Sequence, residues 1–242
     1  MPNRPNESSP EVRAVVCAAQ TWIDQQGLSG SAGATDWAVS QAILFVVHRA
    51  WEIEVGIAVR EAAEITGFSR STAAISFGRL TPIGFIRRTR LAESGRPAIY
   101  RLVPRECLMT SCPHLLSWSG SAMHPSEIDV FRRKGLGPNA RRIWLTLKRN
   151  PQSTVTEVSL ALGIHRTTVG RNLNELQRFG LAIQQGKPAK WSHLDRDLDL
   201  VAYELGTAGS LERQRNQHAV ERRAFYLNHA LQQTKDNQSK EH

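Results

Sequence analysis

The chain is short of what would seat it in a membrane or an oxidising compartment. No run of about 18 apolar residues occurs, so no transmembrane helix is expected; the longest apolar run is Ala42-Ile-Leu-Phe-Val-Val47. The opening residues, MPNRPNESSPEVR, lack the apolar middle of a signal peptide. Cysteine is scarce: only Cys17, Cys107 and Cys112 are present, an odd, sparse set that suits a reducing cytoplasm. Catalytic signatures are missing too, with no Walker loop, no G-x-S-x-G and no H-E-x-x-H. Negative charge is the last shortage. Against 31 Lys and Arg stand 22 Asp and Glu, giving +9 and a pI near 10.1. That balance favours a polyanionic partner, nucleic acid or an anionic membrane surface. What is present is ordinary globular material. Of 242 residues 40% are apolar and 22% charged, enough for a packed core in one large domain or two small ones.

The most informative feature is a repeat. Residues 59–84, VREAAEITGFSRSTAAISFGRLTPIG, align without a gap on residues 155–180, VTEVSLALGIHRTTVGRNLNELQRFG, at an offset of 96. Identities fall at Val59/Val155, Glu61/Glu157, Gly67/Gly163, Arg70/Arg166, Thr72/Thr168, Leu80/Leu176 and Gly84/Gly180. Each copy reads as two short helices. Val59, Ala62, Ala63 and Thr66 mark the first helix of one copy; Val155, Val158 and Leu162 mark its twin. Gly67 and Gly163 stop those helices, because glycine takes the left-handed conformation a C-terminal turn requires. Phe68 and Ile164 plug the turn, and Ser69 or the weaker His165 caps the second helix. Ala73, Phe77 and Leu80 form its inward stripe, repeated by Val169, Leu173 and Leu176.

A hairpin follows each pair. Phe85–Arg90 and Ala98–Val103 flank a turn around Gly95-Arg96-Pro97; Leu181–Gln185 and Ala189–Leu194 flank Gly186-Lys187-Pro188. A helix precedes each pair, over Trp37–Ala50 and Pro138–Arg149. Asp36 or Pro138 suits the helix start, and Ile143, Trp144 and Leu147 face inward in the latter. In this order both copies resemble winged helix-turn-helix domains of the bacterial regulator type, over residues 36–103 and 129–194. The implied fold is mainly α with small β wings: two such domains in tandem plus N- and C-terminal helices. The boundaries read as 1–35 (N-terminal helix and linker), 36–104, 105–128 (linker), 129–194, 195–232 (C-terminal helices) and 233–242 (disordered tail).

The C-terminal half carries a second resemblance. Phe131-Arg-Arg-Lys-Gly-Leu-Gly137 leading to Arg142-Ile-Trp144, then Leu200–Gly209 with Glu212-Arg-Gln-Arg215, looks like a DNA-binding segment of plasmid and integrative-element replication proteins. Those proteins often carry a primase–polymerase module, and no such module is visible in this sequence.

Charge is concentrated in the two copies. Residues 59–103 hold eight Arg or Lys against three acids, and residues 131–194 hold twelve against two. The copies thus carry +5 and +10, leaving the rest at −6. Duplex DNA is therefore the expected partner, and a membrane is not. The start of each second helix should enter the major groove: Arg70, Ser71 and Thr72 in one copy, Arg166, Thr167, Thr168, Arg171 and Asn172 in the other. Arginine suits guanine, asparagine suits adenine, and Ser or Thr at a helix start suits phosphate. Arg87, Arg88, Arg90 and Arg96, with Lys187 and Lys190, should lie along the backbone or in a minor groove. The copies are unequal. Ile75 and Ser76 replace Arg171 and Asn172, Gly78 loosens the first copy's helix, and Pro82 ends it. The second copy is expected to read sequence and the first to supply its wing. Ile75 is open to two uses, thymine methyl contact or packing on another protein.

Other clusters read as structural. Cys107, Cys112, His114 and His124 are zinc-type ligands in a spacing that matches no short finger, so no metal or other cofactor is expected. His48 and His165 read as polar surface residues. Asp195, Asp197 and Asp199 suit the first turn of a helix running to Leu205 better than a nuclease metal site. With no acid, base and nucleophile set, an enzyme is not expected. At the N-terminal end Val12, Val15, Val16, Ala19, Trp22 and Ile23 form a helical stripe stopped by Gly27, and 28–35, LSGSAGAT, reads as a loop. Val220, Ala224, Leu227 and Leu231 form a heptad-like seam on a helix of about 210–232. It serves either packing on the second domain or a homodimer contact. The function classes are a replication or maintenance factor of a mobile element, a transcriptional regulator, or an adaptor that binds no DNA.

Overall fold

Apolar spacing builds two cores, one for each copy of the repeat. The computed structural model describes residues 10–93, 97–103 and 125–238, mainly helical with two small antiparallel sheets. The first core joins α1 (Pro10–Gln25), through Val12, Val15, Val16, Ala19 and Ile23, to Val39, Ala42, Ile43, Val46 and Val47 of α2 (Gly30–Ala50). Ala62 and Ile65 of α3 (Val59–Thr66), with Phe77 and Leu80 of α4 (Arg70–Leu80), close it from the other side.

The sheet of this unit has the order β1-β3-β2. β1 (Glu54–Gly56) pairs antiparallel with β3 (Ile99–Leu102), which pairs with β2 (Ile86–Arg90). The hairpin was legible in the sequence; the third strand was not.

The second unit repeats the order. A short α5 (Pro125–Phe131) precedes α6 (Gly137–Arg149), α7 (Val155–Leu162), α8 (Arg166–Arg178), and the hairpin of β4 (Ala182–Gln185) and β5 (Lys190–His193). Ile143, Leu147, Val158, Val169, Leu173, Leu176 and Trp191 fill its core. In place of a third strand there is one bridge, Ser153 to Trp191. Pro151 lacks a donor and Gln152 has φ 61°, so the chain turns before a ladder can extend. α7 opens on a reciprocal cap: Thr154 accepts from the Glu157 amide, and the Glu157 carboxylate accepts from the Thr154 amide. The bond from the Thr154 amide, with another from the Thr154 hydroxyl, holds the Glu157 carboxyl below its usual range.

Both turn glycines have positive φ, 70° at Gly67 and 63° at Gly163. Gly67 is also confined. A Cβ there would lie 2.7 Å from Cβ and Nε of Arg132, whereas at Gly163 the nearest atom, Gly27 Cα, is at 3.4 Å.

Several expectations need correction. Residues 30–35 are the first turn and a half of α2, not a loop. Their small side chains let the helix start pack closely; a Cβ on Gly33 would lie 2.5 Å from the Leu28 carbonyl carbon. Burial there outweighs poor helix propensity. Asp36 is accordingly no helix start but a buried carboxylate within α2, accepting from Arg79 Nε at 2.7 Å and from the Ser76 hydroxyl. The helix α5 begins at Pro125, inside the segment read as linker. Residues 233–238, read as tail, continue α10 (Ser210–Gln238), since neither proline nor glycine interrupts them. The start of α10 packs between α3 of the first unit and α5: Leu211 joins the first core, and its amide donates to Asp129. The acidic cluster divides as the helix reading expects. Asp197 caps α9 (Leu198–Glu204) by accepting from the Asp199 amide at 2.8 Å.

The two units meet through α2 and α6. Arg142, almost fully buried, donates to the carbonyl oxygens of Leu28 at 2.8 Å and Leu162 at 3.2 Å, with its guanidinium 5.6 Å from the Trp37 ring. Asp24 accepts from Trp37 Nε1 at 2.9 Å and pairs with Arg149 at 3.3 Å. Among the described residues no helix is long and apolar enough to cross a membrane.

Candidate nucleic-acid interface

Helical geometry decides which side chains of α4 and α8 face out. Residues spaced i, i+3, i+4 and i+7 share a face. On α8 the inward set is Val169, Asn172, Leu173 and Leu176; on α4 it is Ala73, Ser76, Phe77 and Leu80. Asn172 therefore does not present its amide outward, as a base reader must. It is buried and donates to the Thr168 carbonyl oxygen at 2.7 Å.

The outward set on α8 is Thr167, Gly170, Arg171 and Asn174, with Arg166 exposed at the tip. Asn174, which the sequence reading passed over, occupies the open face one turn beyond Gly170. The same positions on α4 hold Ser71, Ala74, Ile75 and Gly78. That face is small and apolar, with Ile75 59% exposed.

The helix starts are pinned by local hydrogen bonds. Ser69 Oγ accepts from the Thr72 amide at 3.1 Å and lies 2.9 Å from Ser71 Oγ and 2.8 Å from Thr72 Oγ1. Ser71 and Thr72 are thus tied into the cap, and Arg70 beside them is exposed. On α8 the cap is His165, whose Nδ1 accepts from the Thr167 amide at 3.3 Å. Thr168 is half-buried; Arg166 and Thr167 are exposed.

The first hairpin carries Arg87, Arg88 and Arg90 on β2, all exposed. Opposite Arg87 on β3 stands Arg101, also exposed and also missed in the sequence. It lies in the same row as Arg87 because strand partners share a face. Glu54 is across from Arg101 on the other side, but its carboxylate accepts from Thr89 Oγ1 at 2.6 Å. Arg70, Arg87, Arg88, Arg90, Arg101, Arg166 and Arg171 make no ion pair with any described residue, in contrast to Arg49, Arg79, Arg141, Arg149 and Arg196 of the body.

On the second hairpin Lys187 and Lys190 are exposed, and Lys190 lies near Glu157, helping to hold that carboxyl low. Arg178, at the end of α8, sits 5.7 Å over the Phe179 ring. Arg96, Cys107, Cys112, His114 and His124 lie outside the described residues. Among the described residues no cluster of His, Cys, Asp or Glu could hold a metal.

Comparison with protein-family models, curated proteins and solved structures finds no match. The internal repeat is therefore the guide to function. Fixed at an offset of 96, it sets Arg70 at the position of Arg166, Ser71 at that of Thr167, and Ile75 at that of Arg171.

The body of each unit uses several other cations internally. Arg79 is held on the Asp36 carboxylate, a bond that raises its already high pKa. Arg132 and Arg142 are lowered by burial. Arg132 Nη1 lies 3.6 Å from Asp129, an ion-pair distance but too long for a hydrogen bond. His193, half-buried beside the Trp144 ring at 5.1 Å, is also lowered by burial. His48 is likewise lowered by burial and packs edge-on to Trp51 at 4.2 Å.

Proposed function

We propose that the chain binds double-stranded DNA through two winged helix-turn-helix units in tandem. The observation that carries this reading is the unpaired arginine row of the first hairpin. Arg87 and Arg101 face each other across the strands, with no carboxylate among the described residues bonded to either. Like charges directly opposite destabilise a sheet. A phosphate backbone laid over them removes that cost, and releasing its counterions adds affinity.

The second unit is the sequence reader. Its outward face joins Arg171 and Asn174, donors suited to guanine and adenine, to the small residues Thr167 and Gly170 that let a groove approach. The first unit anchors. Its equivalent face has no charged side chain, so its affinity comes from Arg70 and the hairpin. Replication or maintenance of a mobile element is the process we assign, on the wording of residues 131–144 and 200–215. Self-association through α10 is part of the same reading, supported by Val220 and Leu227, 70% and 60% exposed.

The test is titration of duplex DNA. Arg101→Ala should weaken binding to all sequences alike and reduce the salt slope by about one phosphate contact. An unchanged affinity and slope would contradict the assignment of this hairpin.

A further inference from the structure

The last helix follows the second unit in sequence, yet its first three turns lie on α3 of the first as well as on α5. The Leu211 amide donates to the Asp129 carboxylate at 2.8 Å, and the Leu211 side chain enters the first core. One turn on, Gln214 Nε2 donates to the carbonyl oxygens of Ala63 at 3.4 Å and Phe68 at 3.5 Å. Those two residues bracket the turn at Gly67. Gln214 Oε1 accepts from Arg132 Nη2, the same side chain that packs on Gly67. Further along, His218 Nδ1 is 2.7 Å from Glu64, and Glu221 lies 3.5 Å from Arg60.

At the second turn no contact from α10 takes this place among the described residues. The position equivalent to Glu64 is Leu160, which is 76% exposed. Two turns of the same sequence pattern are thus held differently. One is covered from outside by α10; at the other, Ser159 Oγ donates to the Ile164 carbonyl oxygen at 2.7 Å and Arg142 to that of Leu162, and α7 itself opens on the reciprocal Thr154–Glu157 cap. The first unit lacks that cap, since Ala58 precedes α3 and offers no side-chain acceptor.

We infer that α10 is a strap that sets the pose of α4. Gln214 and His218 are its positioning residues, and they act on the C-terminal end of α3 and the turn that leads into α4. Polar contacts of a helix lying on the surface yield before an apolar core does. Loosening the strap therefore frees the α3–α4 turn while the second unit keeps its structure. The inference concerns the free chain and stands apart from the DNA reading.

Amide hydrogen exchange of the full chain tests it. In Gln214→Ala and in Glu64→Ala, peptides over residues 59–72 should exchange about fivefold to tenfold faster than in the wild type. Peptides over 155–168 should be unchanged. Glu64→Gln, which keeps a hydrogen-bonding partner for His218, should stay near the wild type. Unchanged exchange over 59–72, or equal acceleration of both regions, overturns the strap.

Discussion

Asn172 donates its side-chain amide to the Thr168 carbonyl oxygen, 2.7 Å away within the same helix, and so faces the core. Asn174, two residues on, faces solvent. On the proposed reading the pair separates structure from recognition on α8. Asn172→Ala should cost about 1 kcal/mol of stability by losing that bond and leave sequence preference unchanged. Arg171→Ala and Asn174→Ala should each leave stability within ~0.5 kcal/mol and relax preference by about 1–3 kcal/mol at the specific site. Selection of bound duplexes from a random pool, with urea unfolding of the same variants, separates the two effects. Altered preference in Asn172→Ala alone would return the reading role to that residue.

Much of this was open to sequence reasoning. The stripe Val169, Leu173 and Leu176 already implied that position 172 lies inward, because 169, 172, 173 and 176 are one helical face. The same holds for Ser76 among Ala73, Phe77 and Leu80. Thr154-x-x-Glu157 was a readable capping box. Other features had no local signal. Asp36 is held by Arg79, 43 residues away, and Gln214 by Ala63 and Phe68, about 150 residues away. Gly/Ser/Ala-rich LSGSAGAT has the composition of a loop, and only close packing on Leu28 makes most of it helix. The charge count was legible but too generous to the second unit, since Arg132, Arg141, Arg142 and Arg149 serve the body.

The two turn glycines make a matched pair for stability. Both need a left-handed backbone, at about 1–2 kcal/mol for alanine. Only Gly67 also meets Arg132 at 2.7 Å. Gly67→Ala should lower the urea midpoint more than Gly163→Ala. Equal shifts would mean that Arg132 moves aside without cost.

Stability should fall on mild acidification, and His193 should contribute. Its folded pKa is lowered by burial from the ordinary 6.5. A lowered histidine favours folding fully above the unfolded pKa, and that contribution is lost as pH falls through the folded value. Wild type should therefore lose stability below about pH 6.5, and His193→Gln should lose less over the same range. Identical pH profiles from thermal unfolding would remove His193 from the account.

Leu227 is exposed in the single chain, so a charge there should not disturb the fold. If α10 joins two copies, Leu227→Glu should convert a dimer to a folded monomer in sedimentation. It should also weaken binding to a two-half-site duplex more than to a single half-site, because avidity is lost with the dimer. A wild type that sediments as a monomer at high concentration removes the dimer from the proposal.

The central claim is that this surface holds duplex DNA. Fluorescence titration of the full chain against random duplex, repeated across a range of salt concentrations, tests it most directly. The logarithm of affinity should fall linearly with the logarithm of salt, by about 0.9 per phosphate contact. Arg87→Ala with Arg101→Ala should flatten that line by about two contacts. A wild type with no measurable affinity, or with affinity indifferent to salt, would contradict it.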